Sequence, residues 1–179
     1  MTRLVKLPPG GLDRAGFLAR YGGVYEHSPW IAGAVWDEGA ASDDVEALAG
    51  AMAARVEAAG EAAQLALLRA HPDLAGKLAV HGELTAESTS EQAAAGLDRC
   101  SPEEFEEFQR LNDTYTARFG FPFILAVKDH DRAAILDAFR RRVGHDPASE
   151  FREALDQVHR IARLRLVALA DTIEGEAGG

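Results

Sequence analysis

The stretch SPEEFEEFQRLNDTYTARFG, residues 101–120, predicts one long helix and marks both of its ends. Ser101 and Glu104 have the spacing of a capping box, in which each side chain hydrogen-bonds a backbone N–H group at the start of a helix. Pro102 falls at the first helical position, where its missing N–H is not needed, and Gly120 is typical of a helix end. Large apolar residues recur on one face between these ends: Phe105, Phe108, Leu111 and Tyr115. The stretch therefore predicts an amphipathic helix with one buried face.

Similar signals along the rest of the chain predict an all-α fold of about eight helices. We expect helices over residues 13–21, from Pro29 onward, over 42–60 with Ser42 as the N-cap, over 61–70, from Thr85 onward, over 131–143 and over 148–173. Residues 73–84 predict a loop. Phe121–Val127 is strand-like but has no partner strand, which predicts a buried extended segment or a short helix. We expect one domain over residues 1–179, with its core over about residues 12–172.

Composition narrows the class of protein. Apolar residues make up 47% of the 179-residue chain, which is enough for a packed core and excludes intrinsic disorder. The net charge of −10 repels phosphate backbones, so nucleic acid is not an expected partner. No run of about 18 apolar residues predicts a membrane span. The first residues lack the apolar segment of a signal peptide and Cys100 is the only cysteine, which together predict a cytoplasmic protein without an internal disulfide.

Sequence motifs for metals and common cofactors are absent. No pair of histidines or cysteines has the spacing typical of metal ligands, so no metal site is predicted. The glycine-rich phosphate-binding motifs and the Gly-x-Ser-x-Gly motif are also missing. Candidate catalytic residues are therefore sought outside these motifs.

His71 is the first candidate for such chemistry. It follows the apolar helical run 65–70 and precedes Pro72, which disfavours helical backbone in the residue before it. The dipole at a helix C-terminus favours the protonated imidazole, so His71 could donate a proton near neutral pH. The alternative is that His71 only caps the helix by bonding its last carbonyl groups.

Ser88, Glu91 and Gln92 form a second candidate group. Their spacing of three and four residues places a hydroxyl, a carboxylate and an amide on one face of a helix. These groups could converge on one polar ligand. The alternative is an ordinary solvated helix face, although the neighbouring residues are poorer in charge than such a face usually is.

Arg165 interrupts the apolar stripe of the last predicted helix. The other members of the stripe are Phe151, Leu155, Val158, Ala162 and Leu169. A guanidinium at this position must either extend to solvent or meet a buried anion. Its planar shape suits a substrate carboxylate or a buried glutamate.

Five stretches, taken in order, resemble the 2-oxo-4-hydroxy-4-carboxy-5-ureidoimidazoline (OHCU) decarboxylase family of urate breakdown. They are Tyr25-Glu26-His27-Ser28-Pro29-Trp30-Ile31-Ala32, His71-Pro72-Asp73-Leu74-Ala75-Gly76-Lys77, Ser88-x-x-Glu91-Gln92, Phe119-Gly120-Phe121-Pro122-Phe123-Ile124 and Ile161-Ala162-Arg163-Leu164-Arg165-Leu166. The resemblance covers about residues 12–172. It implies an all-helical homodimer that uses neither a metal nor an organic cofactor and converts OHCU to (S)-allantoin and CO2.

The resemblance also implies roles for individual residues. His71 is similar to the catalytic imidazole, Glu91 to its carboxylate partner and Arg165 to a guanidinium of the substrate site. Substrate-lining positions match Pro72, Ser88 and Gln92, and the main chain that bonds the ureido and ring amides matches Phe123, Ile124, Leu125, Ala126 and Val127. Asp129 stands where many relatives have a small residue, which concerns only the following loop.

Two other functions fit the same residues. His71 and Glu91 could activate water in a hydrolase that acts on a ureido or cyclic amide substrate. Alternatively, the chain is a helical interaction module in which His71 is a cap and Arg165 reaches solvent. The decarboxylase and the hydrolase require His71 and Glu91 to act on a substrate, whereas the interaction module does not.

Overall fold

The computed structural model describes residues 8–76 and 84–176, with side chains described up to residue 170. The described residues contain eight α-helices and no strand, which confirms the predicted all-α class. The helices are α1 (Arg14–Tyr21), α2 (Trp30–Asp37), α3 (Val45–Ala58), α4 (Glu61–Arg69), α5 (Ala86–Ala94), α6 (Pro102–Phe119), α7 (Arg132–Arg142) and α8 (Pro147–Glu176). Short 3-10 helices span Pro9–Gly11 and Leu97–Arg99. None of the described helices is long and apolar enough to cross a membrane.

Most helix boundaries follow the signals in the sequence. The capping box of α6 is present, with Ser101 accepting from the Glu104 N–H and Glu104 accepting from the Ser101 N–H. Gly120 ends α6 with a φ of 79°, a left-handed conformation that glycine adopts without strain. The helix predicted from Thr85 onward is present as α5, which begins at Ala86 with Thr85 as its N-cap. Of the predicted loop over 73–84, residues 73–76 are non-helical and residues 77–83 lie outside the described part of the chain.

The predicted N-cap Ser42 is wrong. Helix α3 begins at Val45, and Asp44 caps it by accepting a hydrogen bond from the Ala47 N–H at 2.9 Å. The Ser42 hydroxyl accepts instead from the Asp44 N–H at 3.2 Å, one turn of chain before the helix. Serine and aspartate are about equally good caps, and here the aspartate lies directly before the first apolar helical residue.

The chain divides into two compact units. One contains α1–α4 and the part of α8 from His159 onward, and the other spans His71–Val158. In the first unit, α1 packs on α2 and α2 on α3. Fully buried side chains from these three helices form its core: Phe17, Tyr21, Ile31, Leu48 and Met52.

Aromatic side chains form the core of the second unit. Tyr115 on α6 lies edge-on to Phe123, with ring centroids 5.4 Å apart, and Phe123 stacks on Phe139 of α7 at 4.0 Å. Phe123 belongs to the segment 121–127, in which every residue is buried and none is helical or in a strand. The segment is therefore buried as predicted, and of the two predicted alternatives the short helix is wrong.

Candidate functional site

His71 and Pro72 open a loop that follows α4 in sequence and continues to Gly76, here called the His71 loop. Ala70 is the C-cap of α4, and the His71 side chain directly after it is only 8% exposed. Ala75 has a φ of +49°, a left-handed conformation that is uncommon for a residue with a side chain. Such a conformation persists only where the surroundings hold it in place.

Three side-chain amides hold the His71 loop. Gln92 on α5 accepts from the Ala75 N–H at 3.0 Å and donates to the Asp73 carbonyl at 3.3 Å. From α6, Gln109 donates to the Ala75 carbonyl at 2.9 Å and Asn112 donates to the Leu74 carbonyl at 3.0 Å. The loop that carries His71 is therefore fixed by hydrogen bonds from two helices. Gln109 and Asn112 carry no motif, and the sequence did not identify them.

The Ser88 face of α5 is turned towards the protein. Ser88 and Gln92 are buried and Glu91 is half-buried, whereas Glu87, Thr89 and Ser90 are exposed. The interpretation of this face as an ordinary solvated surface is therefore wrong. Through Gln92, the structure joins this face to the His71 loop, as a shared site requires.

Two side chains hold the main chain of the buried segment 123–127. Arg142 on α7 donates from Nη1 to the Ile124 carbonyl at 2.7 Å. Gln157 on α8 accepts from the Ala126 N–H at 2.9 Å. The Val127 carbonyl accepts from the His130 N–H at 3.0 Å. Within the described part of the chain the other peptide groups of 123–127 have no hydrogen bond, although buried backbone groups are nearly always paired.

Arg142 belongs to a buried charged network. Its Nε and Nη2 both lie 2.6 Å from Oε1 of Glu150, a residue with no exposed surface. The Tyr115 hydroxyl donates to the same oxygen at 2.7 Å, and His145 Nδ1 lies 3.2 Å from Oε2. Burial, reinforced by the Glu150 carboxylate, raises the pKa of Tyr115, so its hydroxyl stays protonated. The guanidinium also stacks on the Phe123 ring, with its carbon 4.4 Å from the centroid.

In the other unit, Arg165 meets a buried anion. Its Nη2 lies 2.8 Å from Oε2 of Glu26, and the two side chains are 7% and 1% exposed. The Gly23 and Val24 carbonyls lie 3.5 Å from Nη1. Of the two outcomes that the apolar stripe allowed, extension to solvent is therefore wrong. Glu26 stood in a stretch that marked the family resemblance, but it has no helical periodicity that would identify it as the partner of Arg165.

The residue before Glu26 is also held by side chains. The Tyr25 hydroxyl lies 2.8 Å from His159 Nδ1, and His159 Nε2 lies 2.9 Å from Oε1 of Glu57. Burial raises the pKa of Tyr25, so the phenol in contact with this histidine stays protonated. This chain of hydrogen bonds fixes the backbone from which Glu26 projects.

No group of three or more histidine, cysteine, aspartate or glutamate side chains in the described residues could hold a metal ion. Within the described residues, the unit His71–Val158 contains instead an imidazole loop, an inward hydroxyl and amide, and a stretch of main chain with unpaired peptide groups. These are suited to binding a small polar molecule rich in amide and carboxylate groups.

Comparison with known proteins identifies a family and several similar proteins. The family model described as OHCU decarboxylase matches residues 11–167. The 2-oxo-4-hydroxy-4-carboxy-5-ureidoimidazoline decarboxylase of Halalkalicoccus jeotgali is 46% identical over 98% of this chain and 97% of its own length. The protein of the same name from Haloferax volcanii is 50% identical over 87% of this chain and 89% of its own length.

A solved structure of (S)-allantoin synthase is similar as well, with a TM-score of 0.70 and 35% identity over 88% of this chain. The chain spans about half, 51%, of that protein's length. The chain thus belongs to the OHCU decarboxylase family.

Proposed function

We propose that this chain is a carboxy-lyase that converts 2-oxo-4-hydroxy-4-carboxy-5-ureidoimidazoline to (S)-allantoin and CO2 in urate breakdown, without a cofactor. The observation that carries the proposal is the family match over residues 11–167, which includes every candidate residue from His71 to Arg165. Two relatives that match along most of their length bear the name of this activity.

The substrate carries its own electron sink. One ring carbon bears both a carboxylate and a hydroxyl group and lies next to a ring C=N bond. When the bond to the carboxylate breaks and CO2 leaves, its electron pair moves into the C=N bond. The protein has to orient the carboxylate, manage the hydroxyl proton and deliver a proton to the neighbouring carbon from one face, which gives one enantiomer.

We assign the proton handling to His71 and Glu91. The burial of His71 and the amides that hold its loop support this role, because a proton donor acts best when its position is fixed. Pro72, Ser88 and Gln92 are proposed to line the substrate. Gln92 would do so while its amide braces the loop.

The main chain of 123–127 is proposed to bond the ureido and ring amides, and Arg165 to act as a guanidinium of the substrate site. The first assignment is supported by the buried peptide groups of this segment that have no partner among residues 8–76 and 84–176. Arg165 is supported by its burial and by Glu26, which holds the guanidinium in one orientation.

The activity is tested by forming the unstable substrate from urate with the two preceding enzymes and following the circular dichroism of the allantoin. We expect optically active product, and about 10²–10⁴-fold slower formation in His71→Ala and Glu91→Gln variants. His130→Ala is the matched control, because the hydrogen bond that this half-buried imidazole makes within the described residues is to the Lys128 carbonyl. Racemic product at the uncatalysed rate would contradict the proposal, and a ring-opened acid without CO2 would indicate the hydrolase instead.

We also propose that the protein is a cytoplasmic homodimer and that its two units unfold together as one domain. The family resemblance supports the dimer. Light scattering should give twice the chain mass of 19.2 kDa. Calorimetry should give a single unfolding transition.

A further inference from the structure

Leu125 lies at the centre of the buried segment, and the peptide groups on both sides of it are held. On one side the Ile124 carbonyl accepts from Arg142 Nη1 at 2.7 Å. On the other side the Ala126 N–H donates to Gln157 Oε1 at 2.9 Å. Leu125 itself is buried, and its N–H and C=O have no partner in the described residues.

Each held peptide group fixes one polar group of Leu125. A trans peptide is planar, and its C=O and N–H point in opposite directions. The described residues contain no cis peptide bond. The contact with Arg142 therefore directs the Leu125 N–H away from that guanidinium, and the contact with Gln157 directs the Leu125 C=O away from that amide. Leu125 thus presents one donor and one acceptor, both fixed from behind.

The side chains of Arg142 and Gln157 are each fixed by a further contact. The Arg142 guanidinium is bonded to Glu150 at 2.6 Å and stacks on Phe123. The Gln157 amide nitrogen donates to Glu153 Oε1 at 2.9 Å, which fixes the amide so that its oxygen faces Ala126. Side chains that are fixed in this way hold a binding group without having to reorganise when a ligand arrives.

We propose that Arg142 and Gln157 are positioning residues that aim the N–H and C=O of Leu125 at the donor–acceptor edge of a urea group in the substrate. This inference rests on the proposed function, whose substrate carries a ureido arm and a ring amide. A urea offers an N–H and a C=O side by side and pairs with a main-chain donor and acceptor of the same residue.

Isotope labelling tests the contact with the ligand directly. The chain contains two Ile–Leu peptides, 124–125 and 135–136. Labelling the carbonyl carbon of isoleucine and the amide nitrogen of leucine therefore gives two resolved NMR signals, and Leu136 within α7 is the internal control. Titration with (S)-allantoin should shift the Leu125 signal and leave the Leu136 signal unchanged. An unchanged Leu125 signal at saturation would overturn the proposal.

Two variants test the positioning role. Gln157→Met removes the acceptor for Ala126, and the double variant Arg142→Met/Glu150→Gln removes the donor to Ile124 without leaving a buried unpaired charge. In each we expect the Kd for (S)-allantoin and the KM for the substrate to rise about tenfold, with a smaller change in kcat, as when a well-placed hydrogen-bonding group is lost. If the wild-type protein is active and both variants keep its Kd and KM values, the positioning role is overturned while the proposed function stands.

Tyr115→Phe is the matched structural control. It removes one hydrogen bond to Glu150 and keeps the aromatic ring, but leaves the contact between Arg142 and Ile124 in place. We expect lower stability with wild-type KM. The rise in KM is compared with the loss of stability in Tyr115→Phe and in the double variant. If the two variants show the same proportion between these quantities, the network is only structural and the inference is wrong. A wild-type chain that forms no optically active allantoin would instead refute the proposed function.

Discussion

Breaking the buried ion pair between Arg165 and Glu26 should cost far more stability than breaking an exposed pair on the same helix. Arg165→Met leaves the Glu26 carboxylate, 1% exposed, without its guanidinium. His27 Nε2 lies 3.9 Å from Oε1 of the same carboxylate, but its side chain is 67% exposed, so this imidazole compensates weakly. The Arg165 variant should therefore retain a buried carboxylate that has lost its guanidinium partner.

The expected size follows from the geometry. Two unit charges about 4 Å apart attract by about 4 kcal/mol at the effective dielectric constant of a protein, and removing one partner of a buried pair costs about 3–5 kcal/mol. For a chain of this length, 1 kcal/mol corresponds to about 2–4 °C in Tm. Arg165→Met and Glu26→Gln should therefore each lower Tm by about 6–20 °C. The double variant should recover most of this loss, because no unpaired charge remains buried.

Urea unfolding of the wild type, both single variants and the double variant at pH 7 gives the coupling free energy. Arg163 and Glu46 provide the control pair, since Arg163 is also on α8 and the two side chains are 48% and 57% exposed. Their coupling should not exceed about 1 kcal/mol. A coupling for Arg165 and Glu26 as small as that of the control pair would refute the reasoning.

Three further predictions concern single residues. Burial and the neighbouring Asp113 carboxylate raise the pKa of Asp73, so the folded state favours the protonated carboxyl group. The stability that Asp73 contributes is therefore fully present below the pKa of this group in the unfolded chain. It is lost as pH rises through the pKa of the folded state. Asp73→Asn should therefore raise the urea midpoint at pH 7, with the gain disappearing below about pH 4; a gain that persists in acid would contradict this cause. Ser101→Ala should cost about 0.5–2 kcal/mol in urea unfolding, because it removes the capping box of α6, and an unchanged midpoint would show that the cap is dispensable. Gly120→Ala should cost about 1–2 kcal/mol in the same assay, because φ is 79° there, and a stabilised variant would argue against a left-handed Gly120.

The sequence predicted the helices well because their ends depend on local chemistry. The capping box at Ser101, the cap at Thr85 and the end at Gly120 each involve groups within four residues of one another. The prediction of Ser42 as an N-cap was wrong because two good capping residues, Ser42 and Asp44, lie close together. The helix starts after Asp44, which is nearer to its apolar residues. Local signals identify a helix end but do not rank neighbouring candidates.

The sequence could not reveal contacts between distant parts of the chain. Periodicity showed that Arg165 lies on an apolar face, but its partner Glu26 lies more than a hundred residues earlier in a non-helical stretch. The same is true of Gln109 and Asn112, which hold the His71 loop from positions that look like ordinary polar positions of a helix. Sequence patterns identified the groups suited to chemistry, and the tertiary fold supplied those that hold them.

The described side-chain hydrogen bonds to the main chain of the His71 loop come from neutral amides. Gln92, Gln109 and Asn112 bond its main chain, and none of them gains or loses a proton in the range where an imidazole titrates. A loop held by carboxylates or ammonium groups would change its own geometry as pH crossed their pKa values. For the proton role proposed for His71, these amides would provide a scaffold whose hydrogen bonds do not depend on the charge of the imidazole.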